Sequence, residues 1–386
     1  MSLIRTISAK SQSVRIGSFA ILLLLICACN GGRSGSGAAF PAERGGLQYA
    51  SNLAIVQEDG YTAVTLRDPW DSTRLRRSYL LVDRDKALPD NLPEGTVIRV
   101  PVQRAVIYTT VHAAMADQLG CLDHVVGICD KQYITSEAVL SRISDGRIAD
   151  LGPSTAPDIE KIIDLGADVI IASPFENSGY GAAEKTGVPI VEAADYMEDH
   201  PLGRSEWLRF YGLLFGRNEE AVAAFKATEE RYNHLKALAA AAAERPTVLL
   251  EKKYGPSWPV PSGDCYIAVI HRDAGADYIF ADISGRGNVA QLSYETVYNK
   301  AADCDLWLFK YNAASDYTYA SLRLEYEPYA NFTAWRDRKI YACNSAYCSY
   351  YDDITFHPDW LLEDLIHIYH PELLPDYEPR YYKPLR

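Results

Sequence analysis

Histidine and methionine are scarce in this 386-residue chain, at eight and three residues. The sequence holds no His-Glu-x-x-His helix, no Gly-x-Ser-x-Gly elbow and no glycine-rich loop leading into a helix. These absences remove the usual signatures of zinc proteases, α/β-hydrolases and phosphate-binding loops. Ser173 and Ser262 have no neighbouring base in sequence, so a secreted hydrolase built on a spatial triad is the minor alternative to a non-enzymatic protein. Too few histidines are present to supply clustered ligands for free zinc or manganese, and no Cys-x-x-Cys or other metal-type spacing occurs, so no metal site and no resident cofactor is expected. Net basic charge is also missing: the chain carries a formal charge of -13. Phosphate backbones need a basic face, which excludes nucleic acid as a partner. Past residue 30 no apolar stretch is long enough to cross a bilayer.

What is present begins with an export signal. Arg5, Lys10 and Arg15 precede the apolar run 21–26, which is too short for a membrane span and has the charge pattern of a secretory signal. The run ends in Ile26-Cys27-Ala28-Cys29, which resembles the lipobox of bacterial lipoproteins, and this resemblance implies cleavage after residue 28 and acylation of Cys29. Loss of the three basic residues takes the mature chain to about -16. Residues 29–46 then read as a Gly/Ser-rich flexible tether. The protein is expected in the cell envelope, in the periplasm, held to a membrane through Cys29. Six cysteines survive processing, and in an oxidising compartment Cys121 with Cys129, or Cys343 with Cys348, are close enough in sequence to pair, buried thiols being the other reading.

Two segments half a chain apart echo each other. Asp158-Ile159-Glu160-Lys161-Ile162-Ile163 and Ser293-Tyr294-Glu295-Thr296-Val297-Tyr298 each start a short helix that feeds an apolar strand, around Val169 and Leu306. One repetition means two similar lobes rather than a solenoid, which needs three or more stacked repeats. Strands alternate with helices on both sides, so each lobe is an α/β unit with a parallel sheet. Residues 47–100 form a strand-rich N-terminal extension, 101–195 the N-terminal lobe, 196–245 a helical connector, 246–375 the C-terminal lobe and 376–386 a tail. In the connector a helix is predicted over 206–215 and a second over 218–243, the latter capped by Asn218, stopped by Pro246 and nearly 40 Å long at about 1.5 Å per residue. Apolar heptads do not run far enough for a coiled coil. A helical connector predicts small opening motions.

The order of lobe, long helix and lobe, the paired Glu160 and Glu295, the run Pro201-Leu202-Gly203-Arg204-Ser205-Glu206-Trp207, and the closing Pro358-Asp359-Trp360-Leu361-Leu362 with His370-Pro371-Glu372 resemble the periplasmic binding proteins of ABC importers for iron complexes and vitamin B12, the class with a helical backbone. The resemblance covers about residues 101–375. It implies a monomer that captures a metal chelate, a ferric siderophore, cobalamin or haem, between two lobes and passes it to a permease dimer with its cytoplasmic ATPase. It also implies that Glu160 and Glu295 dock on permease arginines, although a glutamate in a first helical turn also complements the helix dipole.

In doubly wound lobes, ligands sit beyond the carboxyl ends of the strands. That rule nominates His112, Tyr133, Phe175, Tyr254, Trp258, Lys310, Tyr311 and Tyr350 as ligand contacts, with Thr110, Asp130, Glu176 and Tyr351 beside them. Aromatic rings with polar tips suit a large ring system or a catecholate. His112 and Tyr133 are of the types that serve as axial ligands to haem iron.

Overall fold

A computed structural model describes residues 40–285 and 289–386, and these fall in one contact unit. The signal segment, Cys29 and the first part of the tether lie outside the described residues. Among the described residues there are sixteen strands: β1 Leu53–Glu58, β2 Tyr61–Arg67, β3 Leu75–Asp83, β4 Thr96–Val100, β5 Ala105–Ile107, β6 Val125–Ile128, β7 Ala149–Asp150, β8 Val169–Ala172, β9 Ile190–Glu192, β10 Thr247–Leu250, β11 Trp258–Pro261, β12 Asp277–Tyr278, β13 Val289–Leu292, β14 Leu306–Tyr311, β15 Ile340–Asn344 and β16 Lys383–Pro384.

The N-terminal lobe is a parallel sheet of order β7-β6-β5-β8-β9. The C-terminal lobe has the order β12-β10-β14-β15-β16, parallel except for β16, which returns antiparallel to β15. Aligning the two orders with an offset of one strand, β6-β5-β8-β9 on β12-β10-β14-β15, makes β5 equivalent to β10 and β8 to β14 and leaves β7 and β16 unmatched. The two echo helices, Ile159–Asp164 and Tyr294–Ala301, therefore enter matching central strands. Strands β5, β6 and β8 are buried along their whole length, as expected where helices cover both faces. The tail is part of the C-terminal lobe: Tyr381 and Tyr382 are buried in its core beside β16.

The extension folds as the sheet β1-β2-β3-β4. Gly60, at φ 84°, supplies the left-handed residue that closes the tight β1–β2 turn. Alternation along β2 turns Thr62, Val64 and Leu66 inward. That inner face joins the apolar cluster of the N-terminal lobe, where Leu53, Leu66, Tyr79 and Ile98 share a core with Ile107, Trp207 and Phe210. Two buried carboxylates fasten the entering chain. Glu206 accepts the backbone N–H groups of Gln48, Tyr49 and Ala50, each at 2.8 Å, and Glu198 accepts those of Ser51 and Asn52 at 2.7 and 2.9 Å. Backbone donors of a chain entry are thus satisfied without a sheet partner. The extension is an integral layer of the N-terminal lobe.

The connector is more broken than its sequence predicts. Helices Pro201–Glu206 and Leu208–Phe215 are separated at Trp207, and the third runs Asn218–Ala239, 22 residues and about 33 Å. Its N-cap is Arg217, with Asn218 already inside the helix, and it ends before Ala243 because Ala240 starts a turn. Gly212 permits the close approach of the last two helices, since a Cβ there would lie 2.5 Å from the Cβ of Ala221. The long helix buries Ala221 in the N-terminal core and Tyr232, Leu235 and Ala239 in the C-terminal core. One rigid element is therefore built into both lobes.

Strands β11 and β13 were not predicted by the sequence pattern, which reads residues 253–263 as loop. They form a separate two-stranded antiparallel ribbon. Pro259 and Pro261 are two residues apart, so both missing N–H groups face the same edge and leave Trp258 and Val260 free to pair.

Candidate ligand-binding cleft

Between the carboxyl ends of the two parallel sheets lies a cleft of 860 Å³. Thr109 and Thr110 reach it from the end of β5, and Asp130 to Thr135 from the end of β6. On the opposite wall stand Glu251 after β10, Lys310 and Tyr311 at the end of β14, and Ser345 to Asp352 after β15. Both lobes contribute through the same topological positions, as the strand-end rule requires. Asp130 and Glu251 leave their strands with φ 56° and 62°. A left-handed backbone is uncommon outside glycine, least of all for glutamate, and such conformations concentrate where a site fixes the chain.

Tyrosines and hydroxyls dominate the lining. Tyr133 projects from the N-terminal lobe, and Tyr311 and Tyr351 from the C-terminal lobe, with burial raising the phenol pKa of the last two. Tyr311 stacks on Tyr317 at 4.4 Å and donates to Asp316 at 3.2 Å, which fixes its ring plane. The Lys310 ammonium is held by the carboxylate of Glu251. Burial works against that charge, but Glu251, with Tyr382 and Tyr351 around it, outweighs the penalty and holds the lysine pKa well above its usual value. The lobes touch directly at Asp352, whose two carboxylate oxygens accept the hydroxyls of Thr110 and Thr135 at 2.5 and 2.7 Å. Closure across the back of the cleft is thus made by one carboxylate and two threonines.

Of the residues nominated from sequence, the structure brings Tyr133, Lys310 and Tyr311 to the cleft, with Thr110, Asp130 and Tyr351 beside them. Five others stand elsewhere, and they correct the sequence reading. His112 is 1 % exposed: its Nδ1 pairs with the Thr109 hydroxyl, and its Nε2 lies 2.9 Å from Asp195 and 3.1 Å from the Tyr211 hydroxyl. Nδ1 is spent on the cap of its own helix and Nε2 on tying that helix to Asp195 and to Tyr211 of the connector, and neither is left for a haem iron. Trp258 is fully buried against Trp307, Tyr329 and Phe332 and donates Nε1–H to the Leu250 carbonyl. Tyr350 is buried behind the cleft, its ring 5.8 Å from the Lys310 ammonium. Phe175 and Tyr254 are exposed on local turns that do not line the cleft, as is Glu176.

Glu251, Thr135 and Asp352 were missed by the sequence reading. Glu251 follows its strand directly, and the strand-end rule would have found it. Asp352 gave no local signal, because its partners are more than 200 residues away. The echo glutamates occupy the same helical position, second in the helix after the N-caps Asp158 and Ser293, and both are exposed. Among the described residues all six cysteines are free thiols: Cys121 and Cys129 are buried apolar residues, whereas Cys343 and Cys348 face each other with sulfurs 3.6 Å apart.

Two parallel α/β lobes on a shared helical frame, open to solvent where the strand ends face each other, define a two-lobed solute-binding protein. The profile of the family described as periplasmic binding protein matches residues 106–347, and the chain belongs to that family. An uncharacterised lipoprotein of Methanocaldococcus jannaschii is 26% identical over 351 residues, covering 84% of this chain and 82% of its own. A solved periplasmic binding protein from Veillonella parvula superposes with a TM-score of 0.58 at 15% identity, over 80% of this chain and 98% of that one. The vitamin B12 binding protein of Vibrio cholerae gives 0.51 at 17% identity, over 69% and 96%.

Proposed function

We propose that this protein is the substrate-binding lipoprotein of an ABC importer, which captures a metal chelate, a ferric siderophore or a corrinoid, in the interlobe cleft and delivers it to a membrane permease. The observation that carries the reading is the cleft itself, with tyrosines and hydroxyls converging from equivalent strand ends of both lobes. Rings with polar tips offer flat apolar walls and hydrogen bonds to the periphery of a large chelate. Membership of a binding family, and the absence of a triad or nucleophile motif in the sequence, support a carrier rather than a catalyst. Haem is the weaker ligand of the group, since His112, the histidine nominated as an axial donor, is engaged in the lobe core and, of the two donor types, only tyrosine reaches the cleft among the described residues.

Native mass spectrometry and an absorbance spectrum of the protein purified from its own cell envelope test the assignment. We expect a bound cobalt or iron chelate, and rebinding at sub-micromolar concentration, about 8 kcal/mol or more of binding free energy. A sugar or amino acid bound tightly, with no affinity for any chelate, sinks it.

The anchor rests on the sequence Ile26-Cys27-Ala28-Cys29. Replacing Cys29 with serine should abolish fatty-acid labelling and release the protein from the membrane fraction. Labelling that persists in that variant rules the lipid anchor out.

A further inference from the structure

The cleft is charged against anions, and we infer that it selects neutral or cationic chelates, a corrinoid or a ferric hydroxamate, over anionic ones. This rests on the receptor reading above and narrows its ligand. Among the described residues four charged groups line the cleft: the carboxylates Asp130, Glu251 and Asp352, and the ammonium of Lys310. Two negative charges are in excess. The one ammonium is already paired with Glu251, in a site where both side chains are largely shielded from water, 15% and 20% exposed. An anionic ligand would have to break that pair to gain a counter-charge.

Among the described residues the neighbouring lysines give no relief, because each is turned to another partner. Lys131, beside Asp130, points to Asp150 at 3.9 Å. Lys252 is ion-paired with Glu325 at 2.5 Å, and Lys253 lies over the ring of Tyr326 at 5.0 Å. Among the described residues no arginine lines the cleft. Bidentate guanidinium forks are the usual means of holding carboxylate or catecholate oxygens, and this lining offers none.

What the lining does offer fits amides and hydroxamates. Gln132 from one lobe and Asn312 from the other present amide groups, although Asn312 already donates to the Ser345 hydroxyl at 3.2 Å, and the hydroxyls of Thr109, Ser345 and Ser349, each already bonded within the protein, add acceptor lone pairs. A corrinoid rim of neutral amides, or a ferric trihydroxamate without net charge, satisfies these groups and brings no like charge against Asp130 or Asp352. A trianionic ferric tris-catecholate, or haem with its two propionates, brings like charge into a cleft whose fixed charges repel it.

Isothermal titration calorimetry of the full mature protein against four probes tests the selection: cyanocobalamin, a neutral ferric trihydroxamate, a ferric tris-catecholate and haem. At least one of the first two should bind about 100-fold tighter than either anion at low salt, and the gap should shrink as salt is added. In the Glu251→Gln variant Lys310 loses its counter-charge, and the ratio of neutral to anionic affinity should fall about tenfold. Equal or tighter binding of the anions by the parent protein overturns the charge selection and leaves the receptor assignment standing. Failure to bind any of the four chelates overturns both.

Discussion

Trp258→Ala lowers the unfolding free energy by about 3–5 kcal/mol, the range for truncating a large buried aromatic side chain. Trp258 has no exposed surface and meets Trp307 at 5.5 Å between ring centroids, Tyr329 at 5.8 Å and Phe332 at 5.8 Å. These rings lie on β11, on β14 and on residues 329–332 beyond the helix Tyr319–Glu325, and they are too large to collapse into the space vacated. The change also removes the donor to the Leu250 carbonyl, a bond of 3.0 Å at the end of the strand that leads into Glu251. A buried acceptor left unpaired, which costs about 1–3 kcal/mol, puts the loss toward the upper end of the truncation range. Tyr254→Ala is the control: four residues earlier, 81% exposed, it should change stability by no more than about 0.5 kcal/mol. Urea unfolding followed by far-ultraviolet circular dichroism reads both. A Trp258→Ala midpoint indistinguishable from that of the Tyr254 variant would show that this ring is no part of the lobe core.

The same residue shows where sequence reasoning succeeds and where it stops. Buried parallel strands are legible because they are short unbroken apolar runs, as in Val169–Ala172, and helix entries because capping chemistry is local, as at Asp158 and Ser293. Together these place the carboxyl ends of the strands, and so the cleft. The direction a side chain takes from a loop depends on what packs against it from elsewhere. Tyr350 and Tyr351 are adjacent, yet one is 1% exposed and the other 53%, because the helix Tyr350–Asp353 turns the first toward Tyr381 and Tyr382 and the second toward the cleft. Both partner tyrosines belong to the tail, which carries no periodic signal of its own. Trp258 sits in a run with two prolines, which reads as loop until its pairing with β13 is seen. The place of the N-terminal extension was equally invisible, since Glu198 and Glu206 meet residues 48–52 across some 150 positions of sequence.

Reversing both echo glutamates, Glu160→Arg with Glu295→Arg, should abolish uptake in cells and stimulation of the transporter ATPase in liposomes while sparing ligand affinity and the thermal midpoint. We propose that the pair docks the permease, and the geometry that motivates it is the matched placement. Each glutamate is exposed in the first turn of a helix whose inner face is anchored two residues later, by Ile162 in one lobe and Val297 in the other. Each helix precedes an equivalent strand, β8 or β14, so the two charges hold equivalent places in the two lobes. A permease dimer has a twofold axis of its own, and two matching basic contacts on it would meet two matching acids. Neither glutamate lines the cleft, so a role in capture is not built into the fold. The backbone N–H of Glu295 itself and then the Ser293 hydroxyl hold its carboxyl below the usual value, so its charge persists across the physiological range. Reversal places like charges at the interface and slows electrostatically steered encounter. The double Gln variant separates the two effects, since it removes attraction without adding repulsion, and it should retain partial uptake that falls with added salt. Wild-type uptake by the double Arg variant, or a collapse of chelate affinity in it, would falsify the docking role.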